Sequence, residues 1–595
     1  MMVQALMAYA EREGFDSDLK LAPVRWRIPL DSEGRLLGSV IPMLEDPNAK
    51  RPAPKRLVRP FSRSDDVGHG QAYFLCDNLE RALAFPIPDD PEKTESRKVN
   101  FAFFQSLLKE AAAACPDESP SLKAVLAFLN NQAELKRVHQ LLTDNGCKTT
   151  ENVDFEVTNR PLLSSPALLA WWRKRREAER QQASGGLVMS LASGQMVVPV
   201  STAGKIDGIR GSPPAGANLI SFDKDAFRSF GLDKALNAPV SFTEDAKITG
   251  ALNKLIEQGY RVEDAIYLHW TREPDKDPFD LLETADQAAV TELLRAPLKG
   301  ISPSGLAANK YYLLGLSGNG GRVVVRDWLE STVPEVENNV RGWFDHLTIL
   351  HERDGGLRSA FGLYGLLATT VPSKKNKPDF EKLPTQLPAQ LFRAALSGGA
   401  LPSSLLAAAV ARQNLGGESK LNPARLALIK LYVVRNHSTD PTKRKTMSEK
   451  LKQLDPNSTD IAYLCGQLFA VIGRLQLVAL GKVGTSLAER TYGGVATRPA
   501  STLGPIFTKV PAYLKKANSR FPGSGTNKQK ELETLCARID AVNKAEGRVG
   551  FPPLLGLEEQ GRFALGYYCQ LAQYRADRLE AEIEEKADKL PPENE

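Results

Sequence analysis

The spacing of apolar residues divides this chain into a mixed front part and a helical back part. Between residues 101 and 146, Phe101, Phe104, Leu107 and Leu108 share one helical stripe, whereas residues 265–270 form a continuous apolar run typical of a buried strand. Further along, beyond residue 340, strand signals fade and helical patterns with proline near their starts follow. The pattern predicts an α+β fold, in which a mixed α/β N-terminal region precedes an all-helical C-terminal bundle.

Two strand-like runs flank a glycine-rich turn near the middle of the chain. They cover residues 311–317 and 322–328, and Gly318-Asn-Gly-Gly321 lies between them. An Asn-Gly pair in this position predicts a β-hairpin, because both central residues of a tight turn need positive φ. The segment lacks the Lys-Ser/Thr of a phosphate-binding loop, so we interpret its glycines as a structural turn.

Breaks in the helical periodicity indicate how the back part is divided. A polar, basic break at 436–445 precedes a long apolar stripe at 460–480, and Gly/Pro breaks follow at 493–505 and 521–525 before a last helix at 558–589. We predict four parts along the chain. They are an N-terminal α+β region with a basic loop (1–150), a β-rich region with the hairpin (151–345), a helical connecting region (346–446) and a helical bundle (447–595).

Composition restricts the class of protein only weakly. The 595 residues carry a net charge of +6, so bulk charge is a weak argument for a nucleic-acid partner and the distribution of charge matters more. The six cysteines include no close pair, which argues against a zinc ribbon or a disulfide framework. The sequence has no signal-peptide core at its start and no uncharged apolar stretch of about 18 residues. We therefore expect a reducing, cytoplasmic setting and no membrane span.

Candidate catalytic chemistry is sparse. His346 and His351, with Asp345 and Glu352, form a His/carboxylate cluster, but an i, i+5 spacing does not place two imidazoles on one helical face. The chain lacks a Gly-x-Ser-x-Gly elbow, and its six histidines offer little general acid–base material. We predict no catalytic residue, no metal and no cofactor, with a carboxylate-based enzyme left as an alternative.

A basic, proline-rich segment in the front part is more informative. Prolines at 52, 54 and 60 favour an extended chain whose cations can follow a phosphate backbone. These cations are Lys50, Arg51, Lys55, Arg56, Arg59 and Arg63. Shortly after them, Gly70 would let the backbone approach a groove, and Gln71 or Asn78 would read base edges. The alternative is a solvated basic loop followed by a turn into a strand.

A second basic stretch lies in the back part. Residues 482–530 carry nine Lys/Arg against one acid, Glu489, and aromatic residues are interleaved with them. Cations among aromatic rings suit single-stranded nucleic acid, whose bases stack while its phosphates pair; the alternative places those rings in a helical core. The candidate contacts are Arg490, Arg498, Lys509, Lys515, Lys516 and Arg520. A further cluster, Trp171-Trp-Arg-Lys-Arg-Arg176, is ambiguous between a helix end and another phosphate contact.

Several blocks, in this order along the chain, resemble the large subunit of the type I-C CRISPR surveillance complex (Cascade). They lie at residues 73–78, 218–232, 237–241, 265–270, 309–328, 425–430, 462–476, 489–499 and 513–516. Each block alone is modest, and their shared order makes the resemblance specific. Two places depart from the family pattern: residues 197–208 lack a histidine that is more common there, and the lead into the hairpin is shortened to Ala307-Ala308-Asn309.

The resemblance implies a non-catalytic, nucleic-acid-binding subunit of a bacterial antiviral defence complex. Such a subunit lies at the 5′-handle end of a guide RNA complex, beside the guide-processing subunit and repeated backbone subunits. Its front half checks the protospacer-adjacent motif on target double-stranded DNA and aids unwinding and R-loop formation, while guide pairing reads the sequence. A helicase-nuclease is recruited afterwards. A metal-dependent nuclease and a purely architectural subunit remain as alternatives.

The resemblance also implies that the helical C-terminal part is made separately, as a small subunit, by internal translation. Met447 is the only methionine after Met196, and it stands just before the long helical block. We therefore expect a second product that starts near Met447. A non-AUG start nearby is the main alternative.

Overall fold

The computed structural model describes residues 2–49, 52–61, 72–86, 91–182, 186–222, 224–228, 230–262, 264–275, 282, 289–290, 309–351, 355–375, 377–384, 386–415, 421–481 and 483–587. The chain forms two compact units. The first comprises Met1–Glu257 with Gly318–Val323, and the second comprises Gln258–Ser317 with Val324–Glu595.

The first unit combines short strands with a layer of helices. Its helices are α1 (Met2–Arg12), α2 (Leu79–Leu83), α3 (Pro91–Ala114), α4 (Ser119–Asn130), α5 (Gln132–Asp144), α6 (Pro166–Gln182) and α7 (Phe242–Gln258). Its strands are β1 (Leu19–Val24), β2 (Trp26–Leu30), β3 (Ile41–Pro42), β4 (Lys55–Pro60), β5 (Asp77–Asn78), β6 (Asn152–Val157), β7 (Arg160–Pro161), β8 (Val188–Met189), β9 (Met196–Val197), β10 (Lys205–Ile206) and β11 (Ala217–Asn218).

A mixed sheet organises the core of the first unit. Its order is β3-β2-β6-β5, with β7 beside β6, and β2 and β6 run parallel from Trp26↔Val153 to Leu30↔Val157. Parallel neighbours need a crossover connection, which α2 to α5 supply. Phe104, Phe128 and Phe155 form one cluster of rings between these helices and the sheet.

Helix α6 fixes the position of a separate two-stranded ribbon, which β1 and β4 form antiparallel to each other. The indole Nε1 of Trp172 donates to the carbonyl oxygens of Asp18, at 3.0 Å, and Phe61, at 3.3 Å. Asp18 precedes β1 and Phe61 follows β4, so one buried tryptophan holds the same end of both strands.

The predicted hairpin is confirmed. Strands β14 (Lys310–Asn319) and β15 (Arg322–Thr332) are neighbours in the sheet, and Gly320 at the turn has a φ of +59°. The hairpin tip packs within the first unit, where the amide of Gly318 donates to the carbonyl of Arg210 at 3.2 Å. A Cβ on Gly318 would lie 2.6 Å from that carbonyl oxygen, so the contact requires glycine.

The second unit places an antiparallel meander against helices. The remaining strands are β12 (Tyr260–Val262), β13 (Ala265–Thr271), β16 (Ile349–Leu350), β17 (Leu357–Arg358), β18 (Ser373–Lys374) and β19 (Lys377–Pro378). The helices are α8 (Val333–Leu347), α9 (Leu363–Ala368), α10 (Leu387–Ser397), α11 (Ser403–Asn414), α12 (Pro423–His437), α13 (Pro441–Lys450), α14 (Ile461–Leu480), α15 (Leu487–Thr497), α16 (Pro499–Phe507), α17 (Val510–Arg520), α18 (Ser524–Glu546) and α19 (Leu557–Ala587).

Helix α14 is the centre of the helical part. Of the helices in the described part of the chain, it alone is long and apolar enough to cross a membrane, with a mean hydropathy of 1.5, but 78% of that apolar window is buried within the protein. Such burial is typical of the core helix of a soluble protein. Helices α14 and α19 approach closely through Gly466 and Gly566, each of which faces a backbone carbonyl of the other helix.

The structure confirms the predicted α+β class, with a mixed front part and a helix-rich back part. Two predicted breaks are shorter in the structure, where they comprise residues 438–440 and Arg498. Residues 441–450 form α13, because Asp440 caps the helix and Pro441 suits its first turn. Helices α15 and α16 occupy most of 493–505, with Pro505 tolerated inside the short α16. The division into four domains stays a prediction.

Candidate nucleic-acid interface

The basic segment of the front part is only partly an extended linker. Residues 55–60 form β4, whose register with β1 runs from Leu19↔Pro60 to Val24↔Lys55. Prolines are tolerated here because both strands of a two-stranded ribbon are edge strands. Lys55 and Arg56 are exposed, and Arg56 pairs with Glu257 at 3.3 Å. The candidate residues Lys50, Arg51, Arg63, Gly70 and Gln71 lie outside the described residues.

Arg59 points into the protein rather than into solvent. It is 7% exposed, its guanidinium lies 4.3 Å from the ring centroid of Tyr73, and Nη1 donates to the carbonyl oxygen of Cys76 at 3.3 Å. A cation held in this way stabilises the junction between β4 and residues 73–76, and it has no route to a phosphate without leaving that site.

Asn78 caps a helix. Its side-chain oxygen accepts a hydrogen bond from the amide of Arg81 at 3.0 Å, at the start of α2. This is the ordinary role of an asparagine in this position. The side-chain oxygen of Asn78, which would have to bond a base edge, already accepts the hydrogen bond of the helix cap.

An aromatic pair next to the ribbon was missed by the sequence analysis. Phe61 and Tyr73 lie with ring centroids 5.8 Å apart, and the ammonium of Lys20 lies 5.3 Å from the Phe61 centroid. Phe61 directly precedes, and Tyr73 closely follows, the segment that contains Gly70 and Gln71. The pair brings together the two flanks of that segment. Lys20, Phe61 and Tyr73 are far apart in the sequence. Their contact could not be predicted from it, because the contact depends on the pairing of β1 with β4.

The cations of the back part lie on the surface. Arg490 lies in the first turn of α15, Arg498 directly follows that helix, Lys509 precedes α17, and the remaining candidates lie on α17. All six are exposed: Arg490, Arg498, Lys509, Lys515, Lys516 and Arg520. The acid in this stretch, Glu489, is engaged in the capping box of α15 with Ser486. The positive charge of this surface is therefore left largely unbalanced by its own segment.

Most of the interleaved aromatic residues are core, as the alternative reading proposed. Tyr492 is buried among Phe469, Phe563 and Tyr567, and Phe507 packs against Phe551. Phe521 differs, since it is 55% exposed, and the guanidinium of Arg520 lies 5.6 Å from its ring centroid. Arg520 also donates to the carbonyl of Val478 at 3.1 Å. This pair offers a ring and a cation together on the surface.

The ambiguous cluster at 171–176 takes part in internal contacts. Trp171 and Trp172 pack against Phe74 with centroids 4.8 and 5.7 Å away. Arg175 pairs with Glu110 at 2.8 Å, and Arg176 pairs with Glu179. These contacts favour the structural reading of α6.

His346 and Asp345 of the His/carboxylate cluster have separate partners. The Nδ1 of His346 accepts a hydrogen bond from Nε of Arg435 at 3.1 Å, and Lys452 pairs with Asp345 at 2.8 Å. Burial, and then the charge of Arg435, lower the pKa of His346 to about 3, so the ring is a neutral acceptor at pH 7. In the described part of the chain no group of three or more His, Cys, Asp or Glu side chains could hold a metal ion.

A buried cation network joins the helices around His346. The ammonium of Lys430 donates to the carbonyls of Asp345 and His346, at 3.4 and 3.1 Å, and to the hydroxyl of Ser448 at 3.0 Å. Arg435 donates to the carbonyl of Ala394 at 2.7 Å. Both side chains donate to carbonyls near the C-terminal ends of helices, which have no partner within their own helix. Their chemistry is therefore structural.

The described residues thus include an exposed basic surface on α15 to α17 and two exposed cations, Lys55 and Arg56, on β4. A family model described as CRISPR-associated protein (Cas_Csd1) matches residues 16–575. The chain is thus a CRISPR-associated protein. It belongs to the Cas_Csd1 family, in agreement with the resemblance to the type I-C large subunit, and this membership implies a Cascade-type complex with other CRISPR-associated proteins. No curated protein matches the chain.

Proposed function

We propose that this protein is the non-catalytic large subunit of a CRISPR RNA-guided DNA surveillance complex. It recognises the protospacer-adjacent motif on duplex DNA, aids unwinding and stabilises the R-loop, and a helicase-nuclease is recruited afterwards. Its partners are the guide RNA, the repeated backbone subunits, the guide-processing subunit, a small helical subunit and target double-stranded DNA. It works in the bacterial cytoplasm.

The observation that carries the proposal is the exposed, one-sided charge of the basic surface on α15 to α17, in a chain of this family. Phosphate contacts supply most of the sequence-independent affinity for nucleic acid, and cations free of neighbouring acids provide them. The surface at Arg490, Arg498, Lys509, Lys515, Lys516 and Arg520 has this property, with Phe521 available for stacking.

Within this proposal the two surfaces have different roles. In the front part Lys55 and Arg56, with Lys50, Arg51 and Arg63, contact phosphates of the duplex, while Gly70 and Gln71 lie near the groove. In the back part the six exposed cations support the displaced strand or the backbone of the guide–target heteroduplex. Arg59 and Asn78 act on folding instead, because Arg59 is buried and Asn78 caps α2.

The separate small subunit has support from the packing. One hydrophobic cluster is built from residues 461–567, including Phe469, Tyr492 and Phe563, and all its fully buried members lie after Met447. Tyr463 and Tyr568, from the same part of the chain, belong instead to the cluster that contains α12. Met447 itself packs against the cluster that contains α12. Mass spectrometry of the expressed gene should find a C-terminal species that starts near Met447. Absence of any C-terminal species, from an AUG or another start, would contradict this part of the proposal.

The first test is a gel-shift titration of the reconstituted guide RNA complex on target duplex. It compares complexes with and without this chain, on targets with and without the motif, at two salt concentrations. We expect tight binding to need both the chain and the motif, with a steep loss of affinity as salt rises. Unchanged binding without the chain would favour a purely architectural role, and metal-dependent loss of DNA in the presence of the isolated chain would favour a nuclease.

A further inference from the structure

One side of the β8–β9 hairpin is apolar and exposed. Met189 and Met196 lie directly opposite each other in the register, so their side chains share a face. Side chains alternate along a strand, and because Ser190 is buried, Met189 and Met196 point outward. Leu187 and Leu191, two residues to either side of Met189, are outward by the same alternation. These four residues, which we call the β8–β9 apolar face, are between 58% and 65% exposed.

The opposite side of the hairpin is anchored to the first unit. The hydroxyl of Ser190 donates to the carboxylate of Glu244 at 2.8 Å and accepts a hydrogen bond from the amide of Ala192 at 3.0 Å. Glu244, in the first turn of α7, also accepts from the amide of Ser241 at 2.7 Å. Ala192 belongs to a small hydrophobic cluster with Phe242. These contacts fix the hairpin's orientation, so the β8–β9 apolar face stays on the outside.

The sequence around this face is uncharged. Residues 181–204 contain no Lys, Arg, His, Asp or Glu and no aromatic residue. Cations hold phosphates, and aromatic rings stack with unpaired bases, so the segment lacks both means of holding nucleic acid. A segment that binds a membrane surface likewise combines its apolar face with Lys and Arg. An uncharged aliphatic face is complementary to a protein surface of the same kind, to which the flexible side chain of methionine adapts.

The size of the face indicates one contact within a larger assembly. A stable pair of free proteins needs about 800 Å² of interface on each partner, which is more than four side chains supply. The β8–β9 apolar face alone is therefore too small to hold a second copy of this chain. It is large enough to contribute to the binding of a subunit that its complex also holds at other points.

We propose that the β8–β9 apolar face docks on an aliphatic, uncharged surface of another protein subunit of the complex. This inference rests on the proposed function, since it assumes that the chain works as a subunit of a multi-protein complex. It assigns a protein interface to the first unit, on residues that carry no charge and lie outside both basic segments.

The test measures the association of the full-length chain with a reconstituted complex that lacks it. That complex contains guide RNA, the backbone subunits and the guide-processing subunit, without target DNA. Two variants change the face independently, Met189→Ser/Met196→Ser and Leu187→Ser/Leu191→Ser. All four residues are exposed, so both variants are expected to fold, and thermal unfolding serves as a check.

A matched control makes the same kind of change elsewhere. Val549→Ser/Leu554→Ser replaces two aliphatic residues of the back part that are 98% and 64% exposed. We expect each hairpin variant to weaken association about tenfold or more, and the control to change it by less than about twofold. The loss should be the same at two salt concentrations, because salt screens charges and not apolar contacts.

Wild-type association of both hairpin variants would overturn the inference. A loss that disappears as salt rises, or an equal loss in binding of the chain to guide RNA alone, would also overturn it by assigning the face to nucleic acid. Dimerisation of the free wild-type chain that both variants abolish would assign the face to a second copy instead.

These outcomes separate this inference from the proposed function. If the wild-type chain does not join the complex, the proposed function fails. If the chain joins and the complex distinguishes targets with and without the motif, while both hairpin variants associate as the wild type does, only the assignment of the β8–β9 apolar face fails.

Discussion

Lys430 lies in the core of the second unit, where its ammonium has three oxygen acceptors and no direct carboxylate. Burial lowers the pKa of Lys430 to about 7, against partial compensation from Asp345, and Lys452, Glu449 and Cys569 are the other titratable neighbours. The unfolded chain keeps this lysine protonated up to its ordinary pKa of about 10.4. Between those two values the unfolded state therefore binds more protons, and stability must rise with pH.

The rise of stability with pH should distinguish the wild type from Lys430→Met. From pH 7 to pH 9 the free energy of unfolding of the wild type should rise relative to the variant by about 2 kcal/mol. Urea unfolding of both proteins at the two pH values measures this difference. The comparison cancels the contributions of all other titrating groups, because the two proteins share them. Parallel pH profiles would mean that Lys430 remains charged in the folded protein.

Lys55 and Arg59 are both cations of β4, and they should respond in opposite ways to loss of charge. Lys55 is exposed, so Lys55→Met should change stability by less than about 0.5 kcal/mol and reduce the salt dependence of duplex binding by about one unit of slope. Arg59 is buried against Tyr73, so Arg59→Met should cost about 1–3 kcal/mol of stability and leave that slope unchanged. Thermal unfolding and salt-titrated gel shifts of each variant distinguish them. An effect of Arg59→Met on the slope alone would contradict the burial argument.

At the scale of elements, the contact between α14 and α19 requires glycine on both sides. A Cβ on Gly466 would lie 2.1 Å from the carbonyl oxygen of Phe563, and one on Gly566 would lie 2.1 Å from that of Tyr463. A neighbouring backbone cannot move aside as a flexible side chain can. The two helices would have to separate, with loss of packing around Phe469 and Tyr567.

Gly466→Ala should therefore destabilise the second unit by about 3 kcal/mol, the cost of overpacking a rigid site. Gly473 offers a matched control on the same helix, because a Cβ there would meet no atom within 4 Å. Gly473→Ala should stabilise α14 by about 0.5–1 kcal/mol, since alanine has the higher helix propensity. Urea unfolding of both variants is the measurement, and equal effects would show that the close approach is not limiting.

The elements that could be predicted from sequence are those defined by local signals. The glycine turn at 320–321 is local, and so are the apolar stripe of α14 and the run that becomes β13. Pairing between distant segments is not local. The ribbon joins residues 19–24 to residues 55–60. The prolines near 55–60 led to the prediction of a linker, whereas in the structure they are tolerated because both strands of the ribbon are edge strands. The same limit applies to the site, since the burial of Arg59 depends on Tyr73 and Cys76.

At the scale of the whole molecule, a net charge of +6 is too small to explain binding to nucleic acid, so the proposed function depends on where cations lie. The surface of α15 to α17 carries six exposed cations, Arg490, Arg498, Lys509, Lys515, Lys516 and Arg520. A purely bulk effect would make any exposed lysines equivalent. If binding uses a specific surface, the lysines near α17 should contribute to nucleic-acid affinity and exposed lysines elsewhere should not.

Two triple variants with the same change in charge test this distinction. Lys509, Lys515 and Lys516 are replaced by Gln in one chain, and the exposed lysines at 374, 375 and 377, around the β18–β19 hairpin, are replaced by Gln in the other. The first variant should weaken R-loop formation on target DNA and reduce the salt slope by about 2, as expected for three phosphate contacts on a single strand. The second should bind as the wild type does. Equal losses would assign the effect to bulk charge, whereas no loss in either would favour an architectural subunit whose partners, rather than this surface, hold the DNA.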